Sequence, residues 1–145
     1  MRIQIVNPNL SGDVSILDIG QTYLTTYLKE RTRHEAATMD FTFHRKDWRQ
    51  YLRRSLDRFE PDVLGISVTS LYMGYVTDII AEAKARRPDL KVIMGGWHCS
   101  LLPDDSIGRQ HVEAIVLGDG EYTSEAYLDA LEAVSYTHLR AHETS

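Results

Sequence analysis

Short apolar runs alternate along the chain with stretches whose apolar residues recur at helical spacing, and this alternation predicts a fold. Ile3 to Val6 form a first strand ahead of the turn-forming loop Asn7-Pro8-Asn9-Leu10-Ser11-Gly12-Asp13. Residues 17–31 then place Tyr23, Leu24, Tyr27 and Leu28 on one helical face, and residues 35–43 read as a second strand. Trp48, Tyr51, Leu52, Ser55, Leu56 and Phe59 line a second helix that Pro61 closes. Val63-Leu64-Gly65-Ile66-Ser67-Val68 is nearly all apolar, as a strand covered on both faces should be, and it runs into Thr69 and Ser70.

Val76, Ile79, Ile80 and Ala83 fall at the i, i+3, i+4, i+7 spacing of a third helix, with Glu82, Lys84, Arg86 and Arg87 on its outer side and Pro88-Asp89 at its end. A fourth strand, Lys91-Val92-Ile93-Met94, stops at Gly95-Gly96-Trp97-His98. Residues 102–107 predict a short helix with Pro103 in its first turn, and residues 114–117 a fifth strand. Gly118-Asp119-Gly120-Glu121 follows, with Ser124 as a candidate N-cap for a last helix carrying Ala126, Tyr127, Ala130 and Leu131. Strands that alternate with helices need crossover connections. The expected fold is therefore α/β, a doubly wound five-stranded parallel sheet of flavodoxin-like, Rossmann-like order 2-1-3-4-5.

Composition narrows the function classes. The chain has 145 residues, 43% hydrophobic and 26% charged, which allows one domain with a sizeable core. A formal net charge of -5 argues against nucleic acid as the main partner. Arg45, Lys46, Arg49, Arg53 and Arg54 form a local basic cluster, expected as a solvated helix face opposite Trp48, Leu52 and Phe59. The single cysteine, Cys99, leaves no intrachain disulfide and no all-cysteine metal site; it is expected as a small buried hydrophobe. A reducing cytoplasm fits that usage. No run reaches the ~18 apolar residues of a membrane span, and no signal peptide precedes the first strand.

Val134-Ser135-Tyr136-Thr137-His138-Leu139-Arg140-Ala141-His142-Glu143-Thr144 carries no apolar periodicity and is expected to interrupt the last helix. The string resembles one translated reading frame of a transposase adapter used in DNA sequencing libraries. The domain is therefore expected to occupy residues 1–133, with residues 134–145 a non-native tail. His138 and His142, spaced like a metal pair on a helix, are discarded on that ground.

Candidate chemistry gathers where the parallel strands finish. In a sheet of this order, ligands sit in the crevice beyond the carboxyl ends of strands one and three. Asn7, the hydroxyls of Ser67, Thr69 and Ser70, the bare main chain at Gly95 and Gly96, then Trp97, His98, Gly118, Gly120 and Glu121 all belong to that edge. Hydroxyls suit a polar ligand tail, and glycines let it lie against the backbone. None of these residues makes a metal site.

The strand ending in Ser67-Val68-Thr69-Ser70, the strand ending in Gly95-Gly96-Trp97-His98 with Pro103 soon after, and the strand ending in Gly118-Asp119-Gly120-Glu121 together resemble the N-terminal cobalamin-binding domain of B12-dependent radical SAM enzymes. The resemblance covers residues 1–133. It implies a crevice holding cobalamin, its nucleotide tail beside Thr69, Ser70, Gly95 and Gly96, and the corrin over residues 118–121. Other cobalamin proteins place a histidine below cobalt from a D-x-H-x-x-G loop after strand one. Residues 7–13 contain no histidine, so the resemblance implies a cobalt without that ligand, with Leu71, Tyr72 and Met73 either facing its lower side or packing the third helix.

Several residues keep two readings. His98 either meets the ligand or satisfies a neighbouring carbonyl; Trp97 either covers a corrin edge or packs beneath the fourth helix; Glu121 either accepts from a corrin amide or sits near the last helix's N-terminus. The resemblance further implies a catalytic radical SAM domain following in cis, with a three-cysteine 4Fe–4S cluster and S-adenosylmethionine. This chain alone would bind without turning over. Its parent would be a methyltransferase or cyclase. The rival reading is a flavodoxin-like flavin- or nucleotide-binding module. A phosphorylation receiver is disfavoured, since Asn7 and Ser67 stand where it needs acids, and a G-x-G-x-x-G loop after strand one is absent.

Overall fold

The computed structural model describes residues 1–10, 19–68, 73–96, 99, 101, 103–118 and 120–143. In chain order these form β1 (Arg2–Asn7), α1 (Ile19–Arg31), β2 (Glu35–Asp40), α2 (Trp48–Phe59), β3 (Val63–Ser67), α3 (Met73–Arg86), β4 (Lys91–Gly95), α4 (Pro103–Ile107), β5 (Ala114–Val116) and α5 (Glu121–Glu143). The strands make one parallel sheet in the order β2-β1-β3-β4-β5, the α/β topology that the pattern predicts.

Burial along each strand follows its place in the sheet. β1, β3 and β4 are buried nearly throughout, because helices cover both faces of the sheet centre. β2 buries Ala36 in the core on one face and Met39 in the core on the other, and leaves Glu35, Thr38 and Asp40 exposed, as fits a strand at the sheet's edge. On one face, Leu52 and Leu56 of α2 and Val76, Ile79, Ile80 and Ala83 of α3 pack on Val6, Leu64, Ile66, Val92 and Met94. On the other, Leu28 of α1 and Leu128 of α5 cover Ile3, Ile5, Val63, Ile93 and Val116.

Four local expectations change. β2 stops at Asp40, short of Phe43, because the Asp40 carboxylate accepts the Thr42 N–H at 2.9 Å and turns the chain, while Phe41 drops into the core. Ser124 does not cap α5. The helix already begins at Glu121, and Ser124 lies within its first turns, buried, with its N–H bonded to the Gly120 carbonyl at 2.8 Å. The last helix is not interrupted at Val134 but runs to Glu143, since residues 134–143 contain neither proline nor glycine. Finally, the basic cluster is more than a solvated face. Arg49 and Arg53 cross from α2 to the Glu82 carboxylate on α3, at 2.8 and 2.9 Å, and hold its pKa below the ordinary value, Arg53 contributing first.

α2 ends where Glu60 takes a left-handed conformation, φ 53°, and returns its N–H to the Leu56 carbonyl at 2.9 Å, just before Pro61. Among the described residues no helix is long and apolar enough to cross a membrane, and no group of three or more His, Cys, Asp or Glu side chains is placed to hold a metal ion.

Candidate functional site at the carboxyl edge of the sheet

Parallel pairing delivers all five strand ends to one edge, and the register sets their heights. Val6 pairs with Ile66, Asn7 with Asp40, Ser67 with Gly95, and Gly95 with Val116. Asn7, Ser67 and Gly95 therefore stand in the last rung of neighbouring strands. Thr69, Ser70, Trp97 and His98, with Asp119 and the lower-face candidates Leu71 and Tyr72, lie outside the described residues.

One further ladder bond, from the Val68 N–H to the Gly95 carbonyl at 2.8 Å, keeps the ends of β3 and β4 together past the sheet. Gly96 then turns with φ 103°, and a Cβ there would stand 2.6 Å from the Val68 carbonyl oxygen and 3.0 Å from its nitrogen. The two glycines thus have different reasons to be glycine. Gly96 is demanded by the fold itself. A Cβ on Gly95 would meet only Val116, at 3.6 Å, an ordinary contact, so the scaffold leaves a methyl's space there. Residue 96 is in main-chain contact with residue 68, which brings the segments leading to Thr69 and to Trp97 side by side.

Beyond β5, Gly118 is exposed with φ 68° and nothing within 4 Å of a would-be Cβ. Gly120 is hemmed in by Val116, Leu24 and the Ser124 hydroxyl at 3.4 to 3.6 Å, which fixes how α5 leaves the edge. Glu121, half-buried, is the first residue of α5, where a carboxylate complements the helix dipole. Cys99 is fully buried among the residues covered by α3, as expected of a small hydrophobe. Burial pushes its thiol pKa up, against the Ser106 hydrogen bond, so no reactive thiolate faces the edge.

Two features escaped the sequence reading. The loop after β1 is tied down by Arg45, whose Nε donates to the Asn9 carbonyl at 3.2 Å and whose Nη2 donates to Asn9 Oδ1 at 3.0 Å. Exposed apolar residues also recur at the junctions that parallel topology sends toward this edge, as an apolar rim: Phe43 after β2, Leu101 before α4, Leu117 after β5, and Tyr23, Tyr75 and Tyr122 early in α1, α3 and α5. A periodicity search looks for apolar residues that turn inward, so it passes over those that follow a strand or open a helix and face out.

The strand ends bring bare main chain at Gly95 and Gly96, the half-buried Ser67 and the buried amide of Asn7 to this edge, with exposed aromatics nearby. This donor set fits a large ligand with a polar tail better than a metal ion. The family model for the B12 binding domain matches residues 9–128. An uncharacterized methyltransferase of Pyrococcus horikoshii, PH0819, is 26% identical over 114 residues, 78% of this chain and 24% of that protein. The radical S-adenosylmethionine methyltransferase TsrM from Kitasatospora setae superposes in two structures. One, with tryptophan substrate and a SAM analog bound, gives a TM-score of 0.82 at 25% identity over 91% of this chain and 26% of that one. The other, with cobalamin and a 4Fe–4S cluster bound, gives 0.78 at 26% identity, covering 91% and 24%. The cobalamin-dependent radical enzyme OxsB, with aqua-cobalamin bound, shares the fold at a TM-score of 0.73 and 17% identity, covering 91% and 19%. The chain spans about a quarter or less of the length of these relatives.

Proposed function

Since the chain belongs to the B12 binding domain family, we propose that its carboxyl edge holds cobalamin and that it serves as the cobalamin-binding part of a longer radical SAM enzyme. The observation that carries this reading is the rim. Six of the seven large exposed hydrophobic residues in the described structure follow a strand or lie in the first two turns of a helix, the positions that parallel topology sends toward the carboxyl edge, which supports an apolar cover there.

In this reading the nucleotide tail lies along the main chain of Gly95 and Gly96 beside Ser67, Thr69 and Ser70, with Asn7 on the opposite wall. The corrin lies toward Gly118, Gly120 and Glu121, and Trp97 and His98 join it from the end of β4. Room for a methyl beside Gly95, and the open space over Gly118, support the fit. Cobalamin supplies a cobalt centre that carries a methyl group or assists a radical step. The chain's own residues bind and orient it. With no histidine in residues 7–13, the cobalt takes no imidazole from the β1 loop.

The rest of the enzyme is proposed to follow in cis, with the 4Fe–4S cluster, S-adenosylmethionine and the choice between methyl transfer and cyclisation. The single Cys99, buried in the core, is not one of the cluster's ligands. The native module is proposed to be residues 1–133; Leu131 is the last described side chain packed on the core, and residues 133–135 are exposed. Resequencing the source DNA from an independent library decides that boundary.

Binding is tested by mixing the purified protein with hydroxocobalamin and desalting. Retention of one equivalent of red chromophore is expected, and the cob(II)alamin complex should show no nitrogen splitting from an axial ligand in its electron paramagnetic resonance spectrum. Loss of all colour, or selective retention of a yellow flavin, would falsify the cobalamin reading. Axial nitrogen splitting would show a nitrogen below cobalt, from benzimidazole or from a histidine, and would overturn the reading that the benzimidazole is displaced with no histidine in its place.

A further inference from the structure

Residues 8–10, which follow β1 and open the loop beside the switch point, are tied from outside by Arg45. Asn9 is 1% exposed, so its carbonyl and side-chain oxygens must find donors within the protein. Arg45 supplies two from one planar fork, to the carbonyl at 3.2 Å and to Oδ1 at 3.0 Å. The same loop closes on itself through the Leu10 N–H and the Pro8 carbonyl, 2.7 Å apart, and Leu10 packs against the α2/α3 side of the core.

Arg45 is itself aimed by its surroundings. Between β2 and α2, the His44 N–H returns to the Phe41 carbonyl at 2.9 Å, which reverses the chain toward the end of β1. The Phe41 N–H in turn bonds the Asn7 carbonyl at 3.1 Å, so the two loops leave adjacent strands already joined. The His44 ring stacks on Tyr51 of α2 at 3.8 Å, nearly parallel, and its Nδ1 lies 3.4 Å from the Asp47 carboxylate. Core packing, a reversed turn and a stacked ring therefore all converge on the place from which Arg45 reaches Asn9.

We propose that Arg45 is a positioning residue: it holds residues 8–10 at the start of the β1 loop, through Asn9, in the shape that receives the ligand before the ligand arrives. This rests on the cobalamin reading of the edge. A wall that is already ordered spares the complex the cost of ordering it on binding. Lysine cannot replace it fully, because an ammonium lacks the planar fork that meets both Asn9 oxygens at once.

The test compares Arg45→Ala and Arg45→Lys with the wild-type chain, and uses Arg49→Ala, which loses a contact to Glu82 on the neighbouring helix, as control. Two quantities are read: hydroxocobalamin affinity, and amide hydrogen exchange at Leu10 with and without ligand. Arg45→Ala is expected to weaken binding about tenfold, the effect of roughly 1.4 kcal/mol, and Arg45→Lys by less. Leu10 should exchange faster in ligand-free Arg45→Ala and regain protection with hydroxocobalamin, while Arg49→Ala should match wild type in both. Unchanged affinity and exchange in Arg45→Ala overturn the proposal, as does equal weakening by Arg49→Ala. Should Arg45→Ala not fold, Arg45→Lys carries the same comparison. A wild-type chain that binds no hydroxocobalamin sinks the cobalamin reading, and ligand-free exchange at Leu10 then still decides whether Arg45 shapes the loop.

Discussion

Gly96 and Val68 meet main chain to main chain, so tightly that a Cβ on the glycine would lie 2.6 Å from the valine's carbonyl oxygen. Its φ of 103° adds a second penalty for any other residue. Gly96→Ala is therefore expected to destabilise the fold by about 2–4 kcal/mol, measured as a lowered urea midpoint.

Gly95→Ala should behave in the opposite way. Its new methyl meets Val116 at an ordinary 3.6 Å, so stability should change by less than about 1 kcal/mol. The methyl nevertheless takes up room on the main chain along which the ligand tail is proposed to run, and cobalamin affinity should fall about tenfold or more. A stable Gly95→Ala chain with undiminished affinity would remove the tail from that wall.

The Arg53 and Arg49 contacts hold the Glu82 pKa below its ordinary value, so they bind the carboxylate more tightly than the acid. The resulting stability is present at neutral pH, above the unfolded pKa, and is lost as pH falls through the lower folded value. Glu82→Gln should cost about 1 kcal/mol at pH 7, with the gap to wild type closing below pH ~4. Urea unfolding at a series of pH values gives the comparison.

Tyr27 donates its hydroxyl to Glu125 at 2.7 Å, joining α1 to α5 beside the edge-on ring of Tyr122. That hydrogen bond, then burial, pushes the phenol pKa up to about 12. The folded state favours the neutral phenol, so this contribution is whole below pH ~10 and drains away as pH rises through the folded value. An ultraviolet titration should show one tyrosine ionising near pH 12, and Glu125→Gln should bring that phase down.

What could be read from the chain alone was set by local pattern. Ile79, Ile80 and Ala83, and the apolar run Val63 to Ile66, announce their elements because one period governs each and both are buried as that period requires. Parallel pairing followed from the crossovers, and the order 2-1-3-4-5 from the flavodoxin-like layout. The carboxyl edge where the strands end was legible, yet the separate backbone demands of Gly95 and Gly96 were not, since they depend on Val68 and Val116 lying alongside. Arg45 was misassigned for a similar reason. Its partner Asn9 is far away in sequence, and helical spacing sees only near neighbours. Ser124 resembled a cap because hydroxyls favour helix starts, but Glu121 opens the helix a turn earlier.

The strand order also dictates how the molecule must be made. β1 is made before the other four strands yet ends up inside the sheet, and its partner β3 joins it through Ile3 and Val63 only after two helices and the edge strand have been synthesised. β4 and β5 then add outward in order of translation. A nascent chain halted after β3 would own both banks of the crevice but not the bend at Gly95 and Gly96 beside it, so the berth proposed for the cofactor would be finished late, by residues that arrive after β1 and β3 are already made.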